Sequence, residues 1–369
     1  MKYIENLSAT FKSNKFLWFR YIPLSFVVFF IGFSLLKFPA ASAQGVINGL
    51  QLCFTTLIPS LFPFLILCSF FVNSGLCERT GRYFTKFTKV VFKQPGVSAN
   101  VIFLSLVGGY PVGAKLISQL YEQKQISQIQ AQRLMLFCVN AGPAFVISSV
   151  GYFMLGSKEV GVIIFVSLCL ASLILGVLSR FFLEDSEAVY EKKSVISYDQ
   201  TISESLVNAV SQSIASMASI CAWVVLFSCL NALVNVYGIS VEFSQFLSSV
   251  LEVTTGCLIA SEFMPIAAVA GIIAFGGFCV HFQIMSCIVK VKLKYKYFIT
   301  ARIISTGLSM VICQYLLQFC SVETDVFSTG STPSSTIISI SIPVTIGLIM
   351  MCILLLLGDN YRLGKLKKS

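Results

Sequence analysis

The chain has 369 residues, a formal net charge of +10, 56% hydrophobic residues and only 11% charged residues. Soluble domains carry about 25% charged residues, and a charge at mid-bilayer costs several kcal/mol, so this composition excludes a soluble globular domain and specifies an all-α polytopic membrane protein. The Lys and Arg excess lies in short runs between apolar segments, which is the imprint of membrane topology and not of nucleic-acid binding.

Lys12, Lys15 and Arg20 precede a first apolar run at 21–36, and Ala41-Ser42-Ala43 follows it. That order resembles a secretory signal with an A-x-A site. The rest of the chain is itself membrane-embedded, so the run reads as a retained first helix. A second apolar run at 57–72 leads into a basic stretch with Arg79, Arg82, Lys86, Lys89 and Lys93. The next run, 97–120, is interrupted by Gly108-Gly109-Tyr110-Pro111-Val112-Gly113 and followed by Lys115. Positive charge on both sides of it (Lys93, Lys115, Lys124) favours a re-entrant segment over a full crossing. Runs at 134–155 and 160–182 follow, with Arg133 at the start of the first as an interfacial anchor. Residues 184–200 are rich in Glu, Asp and Lys and read as a soluble linker.

The second half carries apolar runs at 220–236, 265–289 and 298–319, the last two separated by Lys290, Lys292, Lys294 and Lys296. A polar, slightly acidic segment at 322–335, a final run at 337–357 and a basic tail complete it. Basic termini suggest N-in and C-in, with 322–335 outside and the Lys290 to Lys296 cluster inside.

The two halves look related. Ile47-Asn48-Gly49 finds Val207-Asn208-Ala209, and the segment 107–112 finds 275–280. Gln44, Asn48, Gln51 and Thr55 form a polar stripe at helical spacing, as do Glu204, Asn208, Gln212, Ser216 and Ser219. Such stripes line a polar cavity or lie flat at the interface. The expected organisation is an N-terminal tail and first transmembrane helix (1–42), a first repeat (43–182), a polar linker (183–202), a second repeat (203–319), and a loop, last transmembrane helix and basic tail (320–369).

Gly108, Gly109 and Gly113 weaken a helix, and Pro111 removes a donor. Backbone groups freed in this way need protein, water or a ligand, and broken transporter helices use them to bind solutes and ions. Lys115 would add positive charge, or snorkel to the interface. Asn140-Ala141-Gly142-Pro143 breaks the next run, as a kink or as a ligand site. Gly276 and Gly277 open the matching break, followed by His281 and Gln283. His281 is the single histidine; it faces a pore or bonds a neighbouring helix. Glu252, Thr254 and Thr255 are candidates for a coupling ion or proton, with a helix N-terminal carboxylate as the alternative. The 13 Cys include no C-x-x-C pair. Neither a metal site nor a cofactor is indicated. No G-x-S-x-G, H-E-x-x-H or Walker A motif is present, so an enzyme is not expected.

The segments LFPFLIL at 61–67, VNSG at 72–75, GGYPVGAK at 108–115, QLYEQKQIS at 119–127 and NAGP at 140–143, with EVTTG at 252–256 and FGGFCVHFQ at 275–283, together resemble the YlbJ-type (SpoVV-type) sporulation integral membrane proteins. These carry paired Gate, or nucleoside-recognition, domains whose repeat is similar to that of concentrative nucleoside transporters. The resemblance implies a sporulating Firmicute and a transporter that moves dipicolinic acid out of the mother cell across the outer forespore membrane. It implies a site made by Gly108, Gly109, Tyr110, Pro111, Gly113, Lys115, Asn140, Gly276, Gly277, His281 and Gln283, with Tyr110 or Phe278 against the pyridine ring. Its partners would be a small anionic solute and the lipid bilayer, with room for a homo-oligomer and none for nucleic acid. The sequence departs from the family pattern at Val139, where a second Asn is expected, and at Cys279, where a smaller polar residue is expected. Transport of a nucleoside or another small solute, and a non-transporting scaffold for sporulation complexes, are the alternatives.

Overall fold

The computed structural model describes residues 25–182, 201–237, 240–288 and 290–319. The tail at 1–24, the linker at 183–200 and everything after residue 319, including the expected last helix at 337–357, lie outside the described residues. Every element among the described residues is helical. Among the described residues four helices are long and apolar enough to cross a bilayer, or six when two bent pairs each count as one span.

The first apolar run yields α1 (Ser25–Lys37), which meets the following helix at 100°. Pro39 starts α2 (Pro39–Leu52), which passes through a π-helical turn at Cys53–Leu57 into α3 (Ile58–Asn73). Two short helices follow, α4 (Leu76–Tyr83) and α5 (Thr85–Phe92), then α6 (Ser98–Gly108) and α7 (Tyr110–Glu122). The chain continues through α8 (Gln128–Phe137), a π-helix at Ala144–Met154 and α9 (Lys158–Phe182). The second half holds α10 (Ile202–Val236), α11 (Val241–Leu251), α12 (Val253–Phe263), α13 (Ile266–Phe275), α14 (Gly277–Cys287) and α15 (Tyr295–Phe319).

The α2–α3 unit and α10 lie antiparallel along their whole length. Gly45 abuts Cys229, Gly49 abuts Val225, the Cys53 thiol donates to the Cys221 carbonyl, and the Ser205 hydroxyl reaches the Asn73 carbonyl. Gly45 and Gly49 permit this approach, because a Cβ on either would stand 2.8 Å from the α10 backbone. Small residues at such a seam let helices pack closely without a hydrophobic driving force.

Two helix pairs fold back on themselves. Gly113 of α7 faces Ser105 of α6 across a tip at Gly109, so the 97–120 run is a re-entrant hairpin. Gly256 of α12 faces Ser249 of α11 across a tip at Glu252. Two other helices are broken yet continue. Ile266–Cys287 counts as one 22-residue span interrupted at Gly276. Likewise α8 and the π-helix run together beside α9, with Phe137 against Gly176 at one end and Gly151 against Gly161 at the other. The structure therefore relates the Gly109 tip to the Glu252 tip, and the Gly276–Gly277 break to the one at Cys138–Gly142, which differs from the motif pairing of 107–112 with 275–280.

One end of the bundle is strongly basic. Lys290 pairs with Glu122 at 3.2 Å, Gln128 and Gln132 donate to the Lys292 carbonyl, and Arg133 and Arg180 donate to carbonyls of α5. These contacts bring Lys124, the Lys290 to Lys296 cluster and the α4–α5 cations to the same end. Lys37 and Lys158 stand at the other, beside Phe38 and at the start of α9. The positive-inside rule predicts the basic end on the cytoplasmic side.

Candidate functional site

Both hairpin tips rest on a break of their own half. A Cβ on Gly142 would come within 3.2 Å of the Gly109 amide nitrogen, and one on Gly277 within 3.2 Å of the Val253 amide nitrogen. The halves interlock across this level, because the buried Tyr110 hydroxyl donates to the Ile273 carbonyl at 2.5 Å. A pocket of about 730 Å³, its mouth included, opens where these parts meet. Its walls come from Thr56, Leu61 and Phe64 on the long α2–α3 unit, 107–111 at the first tip, Gly142 and Ala144 at the first break, Glu252 and Thr254 at the second tip, and Cys279 and Gln283 on α14.

The tips have distinct local causes. Gly109 adopts φ 89°, ψ 175°, a region that only glycine occupies at low cost. That single residue turns the chain, and Pro111 then falls in the first turn of α7, where a missing N–H costs nothing. Gly113 lies inside α7 as a contact point, since a Cβ there would overlap the Cys138 carbonyl oxygen. At the second tip Glu252 is extended and caps α12. Its carboxylate accepts from the Thr254 and Thr255 amides at 2.9 and 2.7 Å and from the Thr255 hydroxyl at 2.8 Å. This is the helix N-terminal geometry. The N-termini of α7, the π-helix and α14 have no side-chain cap, and each contributes residues to the pocket wall.

Of the residues singled out from sequence, Gly108, Gly109, Tyr110, Pro111, Gln283, Glu252 and Thr254 line the pocket. The others stand behind it. Asn140 donates to the Phe137 carbonyl at 3.0 Å and to the Ser172 hydroxyl at 3.1 Å, tying the end of α8 to α9. His281 lies on the face of α14 turned away from the pocket, its Nε2 2.9 Å from the Phe275 carbonyl and its ring among Phe275, Phe278 and Phe298. Gly276 and Gly277, both with positive φ, make the turn into α14. Thr255 is held by Glu252. Lys115 is half-buried further along α7, near the Cys287 thiol at the cytoplasmic end of α14.

Arg302 is the residue that sequence reasoning missed. It lies on α15, 2% exposed, and donates to the carbonyls of Val139 at 2.6 Å and Leu136 at 2.5 Å. These are carbonyls released by the first break, so Arg302 does there what His281 and Tyr110 do at the second. The available signal was a lone cation inside the apolar run 298–319. Arg133, expected as an interfacial anchor, is also buried (1% exposed) and donates to the carbonyls of Phe92 and Lys93.

Hairpins, broken spans and long apolar helices define a polytopic α-helical integral membrane protein, and residues 54–182 match the family described as Gate, nucleoside recognition. Over 315 residues the chain is 24% identical to the sporulation integral membrane protein YlbJ of Bacillus subtilis (strain 168), covering 74% of this chain and 77% of that protein. The resemblance to YlbJ-type proteins read from the motifs is thereby borne out. No solved structure matches the chain.

Proposed function

We propose that this protein is a sporulation membrane transporter that carries a small solute through the pocket by alternating access, with dipicolinic acid moved out of the mother cell across the outer forespore membrane as its cargo. The observation that supports transport is the convergence of two hairpin tips and two helix breaks on one pocket. Broken helices place unpaired backbone groups at mid-membrane, and such groups are tolerated only against protein, water or a ligand. In this reading the hairpins rock against the long α2–α3 and α10 pair, opening the pocket to one side at a time. The uncapped N-termini of α7, the π-helix and α14 would attract carboxylates, the Tyr110 ring would face the pyridine, and Lys115 would stand on the cytoplasmic route.

One observation favours a second cargo class. The one side chain in the pocket wall that is charged at neutral pH is the Glu252 carboxylate; the Gln283 amide shares the lining, and no Lys or Arg does. A carboxylate and an amide suit a neutral, hydroxyl-bearing solute such as a nucleoside better than a dianion. Uptake of radiolabelled dipicolinate and of nucleosides into proteoliposomes, by the native protein and by Glu252→Gln, separates the two. Dipicolinate uptake with a KM that falls in Glu252→Gln, as repulsion is removed, supports dianion transport. Nucleoside uptake with a KM that rises supports the second reading. Absence of any uptake under several ion gradients would leave the scaffold reading in place of both.

A further inference from the structure

The α4–α5 segment takes no part in the pocket, and its two faces differ sharply. Its inner face buries Cys77, Gly81, Thr88 and Phe92. It is held down by specific contacts: Gly81 packs on Gly96 and Val97, the Asn100 amide donates to the Cys77 carbonyl at 2.8 Å, and Arg133 and Arg180 reach the last carbonyls of α5. The outer face carries Arg79, Arg82, Lys86 and Lys93 exposed and Lys89 half-exposed. Glu78 is the one acidic residue between 76 and 93. It pairs with Arg82 at 2.8 Å on the surface, an interaction worth little. Beside these cations stand exposed apolar groups, Tyr83 (88% exposed), Phe84, Phe87 and Val90 (70% exposed). On α5 the apolar pair Phe87 and Val90 and the basic pair Lys86 and Lys89 are each three residues apart, forming adjacent stripes, and the exposed Lys93 follows at the C-cap of the helix.

Position decides what such a face meets. The end of α3 is at the basic end of the bundle, and α4 leaves it at a bend of 79°, which turns the chain across that end instead of prolonging α3. A helix lying there with an apolar stripe beside a basic one sinks the first into the headgroup–acyl boundary and sets the second against phosphates. Anionic lipids of the cytoplasmic leaflet attract each surface Lys or Arg by about 1 kcal/mol. We propose that the α4–α5 segment is an interfacial lipid-recognition element that binds anionic phospholipid headgroups of the cytoplasmic leaflet, with Lys86, Lys89, Lys93 and Arg79 on the phosphates and Phe87 and Val90 in the boundary beneath them.

The test uses the full chain in bilayers, with Trp18 and Trp223 replaced by Phe and one indole introduced by Phe87→Trp. A control places the indole at the opposite end of α15 by Phe319→Trp. Quenching by brominated phosphatidylglycerol and brominated phosphatidylcholine gives the relative affinity of the two lipids at each position. The expected result is a clear preference for phosphatidylglycerol at position 87 and none at 319. Each lysine neutralised in a Lys86→Gln, Lys89→Gln, Lys93→Gln series should lower that preference about fivefold. Raising the salt concentration should erase it in the chain with all three lysines intact, a measurement that does not depend on the variants folding. Equal affinities at position 87 in low salt, or a preference that survives both salt and the triple substitution, would overturn the proposal and assign the basic face to a protein segment.

Discussion

Arg302 shows how one side chain can hold a broken membrane helix. The Leu136 and Val139 carbonyls lose their helical partners at the break, and inside a bilayer no water replaces them. A guanidinium presents separate N–H groups in a rigid fork that spans both carbonyls, and it keeps its charge when buried; an ammonium has donors enough, but from one nitrogen without that span, and it loses its proton more readily. Arg302→Lys should therefore leave one carbonyl unpaired and destabilise the protein by about 1–3 kcal/mol, read as a lower unfolding temperature in detergent. Unchanged stability would show that the break is held from elsewhere, for instance by Asn140. Gly113 makes a second residue-scale case. Its Cα side faces the Cys138 carbonyl directly, so Gly113→Ala forces α7 away from the break, at a cost of about 1–3 kcal/mol for overpacking. The same thermal assay checks it.

At the scale of elements, the two hairpins turn by different chemistry. The first uses a backbone conformation that glycine alone tolerates, and the second uses an extended Glu whose carboxylate caps the outgoing helix. Gly109→Ala should cost about 1–3 kcal/mol through strain at the tip, and because the tip forms part of the pocket wall, transport should fall more than protein level does. Uptake normalised to the amount of protein in the liposomes measures this. Glu252→Ala removes the α12 cap, about 1 kcal/mol, and also strips the pocket of its carboxylate; Glu252→Gln keeps an acceptor oxygen for the cap. A transport defect in Glu252→Ala that Glu252→Gln restores would mark the residue as a cap, whereas a defect shared by both would mark its charge as functional.

For the whole molecule, the antiparallel α2–α3 and α10 units, the two hairpins and the two broken spans make halves that run through the membrane in opposite senses. Opposed halves can exchange roles when one side opens and the other closes, which is one of the geometries that serve alternating access. The basic end predicts which side faces the cytoplasm. Cysteines introduced by Lys124→Cys and Lys158→Cys should be labelled by a membrane-impermeant maleimide from the cytoplasmic and the external side respectively. Labelling in the reverse sense would invert the orientation and with it the leaflet assigned to α4–α5. The native thiols interfere little, since the described cysteines are buried or half-buried.

Much of this was legible in the residues alone. Low charge, long apolar runs and basic connectors determine an all-α membrane protein, because only helices and closed β-barrels satisfy a backbone in lipid and continuous apolar runs of this length fit the helix. The glycine pairs at 108–109 and 276–277 mark breaks, because their conformational freedom is visible without coordinates. Glu252 announced itself as a costly carboxylate beside apolar sequence. What each group faces was not legible. A helical residue's direction depends on which neighbour packs against it, so Gln283 and His281, two positions apart on α14, end on opposite sides of the pocket wall. Arg133 read as an interfacial anchor and Arg302 drew no reading, because the carbonyls they serve, more than 35 residues away in sequence, are brought beside them only by the fold. Local chemistry determined where the chain would break and turn; only the tertiary structure decided which broken ends meet, because that is settled by contacts between segments far apart in the chain.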